Sequence, residues 1–158
     1  GEELGLQEVG SEIPDAERQD PAFFRNKGVE IGRDGCRVPL PWSASGTSFG
    51  FGTGGAHLPQ PDWFTGYSVE AQETQEDSTL SLYRRALALR TQLQTTETLE
   101  WLETGKADVV GFRRPNGWTS VTNFGAEAFN LPAGEVLVSS SPLQAGSLPG
   151  AATAWLQA

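Results

Sequence analysis

Ser78-Thr79-Leu80-Ser81-Leu82-Tyr83-Arg84-Arg85-Ala86-Leu87-Ala88-Leu89-Arg90-Thr91-Gln92-Leu93 carries apolar residues at helical spacing and divides the chain in two. Leu80, Tyr83 and Leu87 form one row, and Leu82, Ala86, Leu89 and Leu93 form a second beside it. Ser78, or Asp77 before it, can accept the first free amides of a helix that starts here. Arg84, Arg85 and Arg90 can reach solvent or acidic loops and suit its C-terminal half, where the helix dipole attracts cations. Two adjacent rows make a face wide enough to lie against a sheet or a barrel.

On the C-terminal side the period changes to short β runs. Leu99–Glu103, Val109–Arg113, Trp118–Asn123, Glu135–Ser139 and Ala152–Leu156 are separated by turn signals, of which Pro115-Asn116-Gly117 is the strongest. The runs on either side of that turn predict a hairpin with one face packed inward, within a small antiparallel β domain. On the N-terminal side, residues 1–77 read as loops with scattered prolines and aromatics. A connection so long is uncommon unless it serves a site, and such a segment is expected to lie against something larger. One short helix is predicted from Asp15 to Phe24, because Pro14 precedes it and proline suits a helix start.

The chain has 158 residues, the size of one domain or of parts of two. Asp and Glu number 20 against 11 Lys and Arg, a net charge of −9 that argues against nucleic acid and anionic membranes as partners. A neutral sugar is compatible with it. Cys36 is the single cysteine, so no disulfide framework is available and a cytoplasmic location fits. No apolar run is long enough to span a membrane, and no secretion signal stands at the start. The lack of any methionine predicts that an N-terminal portion of the protein lies upstream of Gly1.

One histidine and one cysteine are too few for a Cys/His metal site or a Cys-His nucleophile unless His57 and Cys36 meet. No metal and no cofactor are expected. His57, in Gly54–Pro61, reads as a loop-packing residue, and the glycines of 50–55 lack the flanking strand and helix that a phosphate cradle needs. The acid pairs Glu2 with Glu3 and Asp15 with Glu17 read as solvated. Arg33-Asp34-Gly35-Cys36-Arg37-Val38-Pro39-Leu40-Pro41-Trp42 is more informative. It gathers two guanidinium groups, a carboxylate and an indole on a backbone stiffened by two prolines. Forked arginine donors suit hydroxyl or carboxylate oxygens, and an indole offers a flat face to a sugar ring. An Arg-Asp pair that only braces the loop is the other reading of the same residues.

Three segments carry a resemblance to glycoside hydrolase family 13, in its oligo-1,6-glucosidase and α-glucosidase group. Gly1–Leu6 (GEELGL) looks like the segment leaving the eighth barrel strand. Residues 33–42 are similar to the loop motif RDNARTPMQW, and Val69-Glu70-Ala71-Gln72 with 78–90 resembles the lead into the eighth barrel helix. The departures are Gly35-Cys36 for Asn-Ala and 38–41 for Thr-Pro-Met-Gln. The resemblance implies an α/β plus all-β chain. Residues 1–94 would be the C-terminal part of a catalytic (β/α)8 barrel, comprising the last strand's end, a long loop and the eighth helix. Residues 95–158 would be a small antiparallel β-sandwich. Leu80, Tyr83 and Leu87 are then expected to form an exposed strip in this chain.

Barrel enzymes gather their active sites at the C-terminal ends of the strands, so the 33–42 loop lies on the substrate side. The resemblance implies that Arg33 or Arg37 binds a terminal glucose and that the other pairs with Asp34 or a neighbouring loop, with Asp34 and Trp42 supporting the site. The aspartate nucleophile, the glutamate acid/base and the stabilising aspartate would lie upstream of Gly1, leaving no catalytic residue here; Glu2 and Glu3 would brace the strand end. The implied reaction is retaining hydrolysis of an oligosaccharide or α-glucoside, with the rest of the barrel as the chain's partner. A related transglycosylase, such as a sucrose isomerase or trehalose synthase, is an alternative parent. A non-catalytic carbohydrate-binding module is another, provided that Trp101, Trp118 and Trp155 share one exposed face.

Overall fold

The computed structural model describes residues 1–26 and 29–158. They form two compact units, Gly1–Tyr83 and Arg84–Ala158. Helix α3 (Thr79–Leu93) contributes to both and has the extent its apolar rows predict. Ser78 Oγ accepts the Ser81 amide at 3.2 Å, so serine rather than Asp77 is the cap. The first turn is also held by Gln72, whose Oε1 accepts the Leu80 amide at 3.0 Å while its Nε2 donates to the Leu4 carbonyl at 2.7 Å. This tether corrects the expected apolar strip. Leu80 is buried and Tyr83 half-buried, and only Leu87, 58% exposed, stands open.

Among the described residues the first unit contains no strand. Gly1–Leu6, expected to leave a barrel strand, forms a 3-10 turn at Glu2–Leu4, and further turns occupy Gly10–Glu12, Asp15–Glu17, Asp34–Cys36, Thr47–Gly50 and Asp62–Tyr67. Two short helices, α1 (Pro21–Arg25) and α2 (Val69–Gln72), complete it. Val9, Ile13, Val38, Leu58 and Phe64 form its core, with Leu6, Phe49 and Trp63 packed against them. The helix expected from Asp15 to Phe24 is broken. Asp15–Glu17 is a single 3-10 turn, Arg18 and Asp20 are extended, and α1 begins only at Pro21. Proline drives the residue before it out of the helical region, so Pro21 separates the two pieces and then starts the second.

The second unit is a five-stranded antiparallel sheet ordered β1-β2-β3-β7-β5, with a two-stranded ribbon of β4 and β6. Its strands are β1 (Glu100–Trp101), β2 (Val109–Arg113), β3 (Trp118–Asn123), β5 (Glu135–Ser139) and β7 (Ala152–Gln157), and the ribbon pairs β4 (Phe129–Asn130) with β6 (Ser147–Leu148). The predicted hairpin joins β2 and β3, closed by the Arg114 amide on the Trp118 carbonyl at 2.7 Å. Register puts Val109, Val121, Ala152, Ala154 and Leu156 on one face, where they pack with Leu148 and Phe129 of the ribbon. Buried Asn123 links sheet to ribbon by donating to the Glu127, Leu148 and Pro149 carbonyls. No helix of the described residues is long and apolar enough to cross a membrane.

Candidate functional site

The 33–42 loop opens with the turn Asp34–Cys36 and is fastened by two carboxylates. Asp34 is 1% exposed; its Oδ2 accepts the Gln19 and Asp20 amides at 2.9 and 3.0 Å. Asp20 reaches the loop from the other side. Its Oδ2 accepts the Arg33 amide at 3.0 Å and the Arg37 Nη1 at 2.7 Å, while its Oδ1 accepts the Ala22 amide at 2.8 Å and caps α1. Arg37 Nη1 also stands 3.6 Å from Asp34 Oδ1.

The two arginines are thereby made unequal. Arg37, 51% exposed along its side chain, has its guanidinium engaged by two carboxylates. Arg33 is exposed, and among the described residues its guanidinium has no hydrogen-bond or ion-pair partner. A fixed backbone amide with a free forked donor beyond it is an arrangement ready for an external oxygen ligand.

Backbone amides from Ala22 and Arg33 and the Arg37 guanidinium hold the Asp20 carboxyl down, from the ordinary 3.8 to about 2. A carboxyl depressed in the fold adds stability that is complete above the unfolded-chain value, about 4, and fades as the pH falls toward 2. Asp20→Asn is therefore expected to flatten the dependence of the urea midpoint on pH across that acid window. An unchanged slope would contradict this coupling.

Two glycines admit the close approaches. Gly32 has φ +74°, and a Cβ there would stand 2.5 Å from the Asp20 Cβ, so the Asp20 side chain occupies the space a larger residue needs. At Gly35 a Cβ would meet the Gly10 nitrogen at 2.6 Å and its Cα at 2.8 Å. The 3-10 turn at Gly10–Glu12 thus sits against the loop where the resembling motif carries asparagine. Gly35→Asn is expected to cost about 1–3 kcal/mol, as overpacked sites do, readable as a drop in the chemical unfolding midpoint; a stability equal to the parent's would show that the two turns can part freely.

Beyond the turn the loop is laced on both sides. The Val69 and Glu70 amides donate to the Pro41 and Trp42 carbonyls at 3.1 and 3.0 Å, Gln60 Nε2 donates to the Pro39 carbonyl at 2.9 Å, and the Trp42 amide donates to the Phe49 carbonyl at 2.8 Å. Trp42 itself is 52% exposed. Ser48 and Phe49 behind it have positive φ of 50° and 48°, a strained pair of non-glycine residues of the kind that neighbours sites.

Other candidates weaken. Desolvation and the Glu8 carboxylate push the Cys36 thiol up, against Arg33 and Arg37, so it rests protonated rather than as a nucleophile. His57 is an exposed loop residue. No metal-ligating cluster occurs among the described residues. The three tryptophans do share one face of the five-stranded sheet, because Trp101 pairs with Phe112, Phe112 with Ser120 and Ser120 with Trp155, and Trp118 lies two residues from Ser120. Trp118, however, is only 7% exposed, and it meets Phe112 and Trp155 edge to face at interplanar angles of 75° and 72°. Trp118 and Trp155 pack edge to face, Trp101 meets Phe112 in the same way, and the three offer no shared flat platform.

Residues 1–98 match the alpha-amylase catalytic domain. The chain belongs to the alpha-amylase family, glycoside hydrolase family 13. This alpha-amylase family chain is 34% identical over 119 residues to the probable alpha-glucosidase of Rhizobium meliloti (strain 1021), a match covering 74% of this chain and 21% of the relative. Among solved structures it superposes on the alpha-glucosyl transfer enzyme XgtA with a TM-score of 0.71 at 27% identity, over 98% of this chain and 31% of that one. Trehalose-6-phosphate hydrolase from Bacillus licheniformis shares the fold at a TM-score of 0.71 and 19% identity, over 100% of this chain and 35% of the other. The chain spans about a fifth of the curated relative and about a third of each solved enzyme. These solved relatives are (β/α)8-barrel enzymes, and the small antiparallel sheet of this family member suits their C-terminal region.

Asp20 is the site residue that the sequence reading missed. Asp20-Pro21 is itself a helix-start signal, a capping side chain before a first-turn proline, and it was available in the sequence beside the Pro14 signal.

Proposed function

We propose that this chain is part of an exo-acting α-glucosidase that removes terminal α-linked glucose from oligosaccharides by retaining hydrolysis. Residues 1–94 complete its catalytic barrel, and 95–158 form its C-terminal β-sandwich; the family match ending at residue 98 supports that division. The chain contributes the glucose-binding loop, and the catalytic carboxylates come from the rest of the barrel, so the chain alone is inactive. A cytoplasmic location fits the single cysteine.

The observation that carries the reading is the inequality of the two arginines. Arg37 is occupied by Asp20 and Asp34, which leaves Arg33 to donate to glucose hydroxyls, while Asp34 and Trp42 support the loop. Hydrolysis of p-nitrophenyl α-glucoside by the full-length protein, compared with its Arg33→Ala and Arg37→Ala variants, tests it. A glucosyl-transferring parent is the second reading, favoured by the likeness to XgtA at 27% identity. Product analysis separates the two: free glucose as the main product supports the hydrolase, and glucosides of an added acceptor alcohol support transfer.

A further inference from the structure

Three consecutive residues, Arg18-Gln19-Asp20, grip both ends of the segment 31–37. Arg18 is buried, and its Nη1 donates to the Ile31 carbonyl at 3.1 Å while its Nη2 donates to the Gly10 carbonyl at 2.7 Å. The Gln19 and Asp20 amides both donate to Asp34 Oδ2. The Asp20 carboxylate takes the Arg33 amide and the Arg37 guanidinium on one oxygen, and Gly32 gives it room to do so. Among the described residues, the Arg33 guanidinium has no hydrogen bond or ion pair that fixes its direction. Its aim is set by where its backbone is held.

We infer that Asp20 is a positioning residue for Arg33: through the Arg33 amide and the Arg37 guanidinium it fixes the point from which the free guanidinium reaches substrate, without touching substrate itself. The inference rests on the reading that Arg33 binds the glucose unit. A ligand-binding arginine must be held to within a fraction of an ångström for its donors to act in the transition state, and a hydrogen-bonded supporting residue is how a loop achieves this. Asp20 also engages Nη1 of the Arg37 guanidinium, which ties the second arginine to the same carboxylate.

Asp20→Asn is the selective variant. The amide can keep its oxygen on the Ala22 amide and so preserve the α1 cap, while its NH2 faces the Arg33 amide and Arg37 Nη1, two donors it cannot satisfy. In the full-length protein, Asp20→Asn is expected to lower kcat/KM for p-nitrophenyl α-glucoside at least tenfold. In an Arg33→Ala background the same change is expected to alter it less than twofold, because there is no longer a guanidinium to aim. An equal loss in both backgrounds, or none in either, would overturn the inference, since a purely structural residue costs the same with or without Arg33.

Backbone amide exchange across residues 31–37 supplies a readout that does not depend on activity. At least tenfold faster exchange in Asp20→Asn is expected, and unchanged exchange refutes the clamp. If Arg33→Ala leaves activity intact, the glucose-binding assignment fails by that result alone, and the positioning inference, which rests on it, fails with it. Should Asp20→Asn not fold, Asp20→Ser retains a capping oxygen but is too short to span to Arg37, and it is judged by the same double-mutant comparison and the same exchange.

Discussion

Arg33→Ala in the full-length protein is expected to reduce kcat/KM for p-nitrophenyl α-glucoside by roughly 100-fold or more while leaving stability within about 0.5 kcal/mol of the parent. The kinetic figure follows from losing one or two charge-assisted hydrogen bonds, worth about 1.5–3 kcal/mol each, with each 1.4 kcal/mol equal to about a factor of ten. The stability figure follows from the exposure of Arg33 and from its guanidinium having no hydrogen bond or ion pair among the described residues, since removing such a surface group is usually that mild. Arg37→Ala should show the reverse pattern. It removes an ion pair and leaves Asp20 and Asp34 without their cation, so its loss appears first in the urea midpoint. Binding energy spent on a terminal sugar is expected in both KM and kcat, because an exo-acting pocket uses such contacts to hold the scissile bond in register. Should Arg37→Ala cost the larger share of kcat/KM at unchanged stability, the roles of the two arginines are exchanged.

The sequence made the five-stranded sheet of the second unit legible because each of its strands falls on a run that carries its own signal. Val109–Arg113, Trp118–Asn123 and Glu135–Ser139 were read with the bounds they have, and Gly117, at φ +85° in the predicted turn, closes the hairpin. β4 and β6 were missed because two-residue strands have no period to detect; only their packing around Leu148 reveals them. The first unit was legible as irregular chain and no further, for its 3-10 turns are set by contacts such as Gln72 to Leu4, 68 residues apart in sequence. The same limit applies to the site. Arg33, Asp34, Arg37 and Trp42 lie in one motif and could be picked out together. Which guanidinium is left without a hydrogen bond or ion pair among the described residues depends on Asp20, seventeen residues before Arg37, a separation that no local pattern encodes. Asp20 and Asp34 both engage Arg37 and leave the two arginines in unequal surroundings.

Asp34→Ala is the substitution expected to cost most in stability, roughly 3 kcal/mol. Asp34 is 1% exposed and accepts two backbone amides, so alanine strands the Asp20 N–H in a buried site and the Gln19 N–H in a half-buried one. Each stranded donor costs about 1–3 kcal/mol, with relaxation of the surrounding turn recovering part of the sum. Asp34→Asn should cost less, about 1–2 kcal/mol, because one carbonyl oxygen can still serve both amides while the charge facing Arg37 is lost. Urea unfolding followed by tryptophan fluorescence gives the comparison, with constant m showing that stability alone has changed. A loss under about 1 kcal/mol for Asp34→Ala would mean that water takes the place of the carboxylate. The expected order, alanine well below asparagine and asparagine below aspartate, also separates this residue from Asp20. Asp34 fixes Gln19 and Asp20 through their backbone amides, and Asp20 then holds the Arg33 amide and the Arg37 guanidinium, so unfastening Asp34 should release the whole clamp at once.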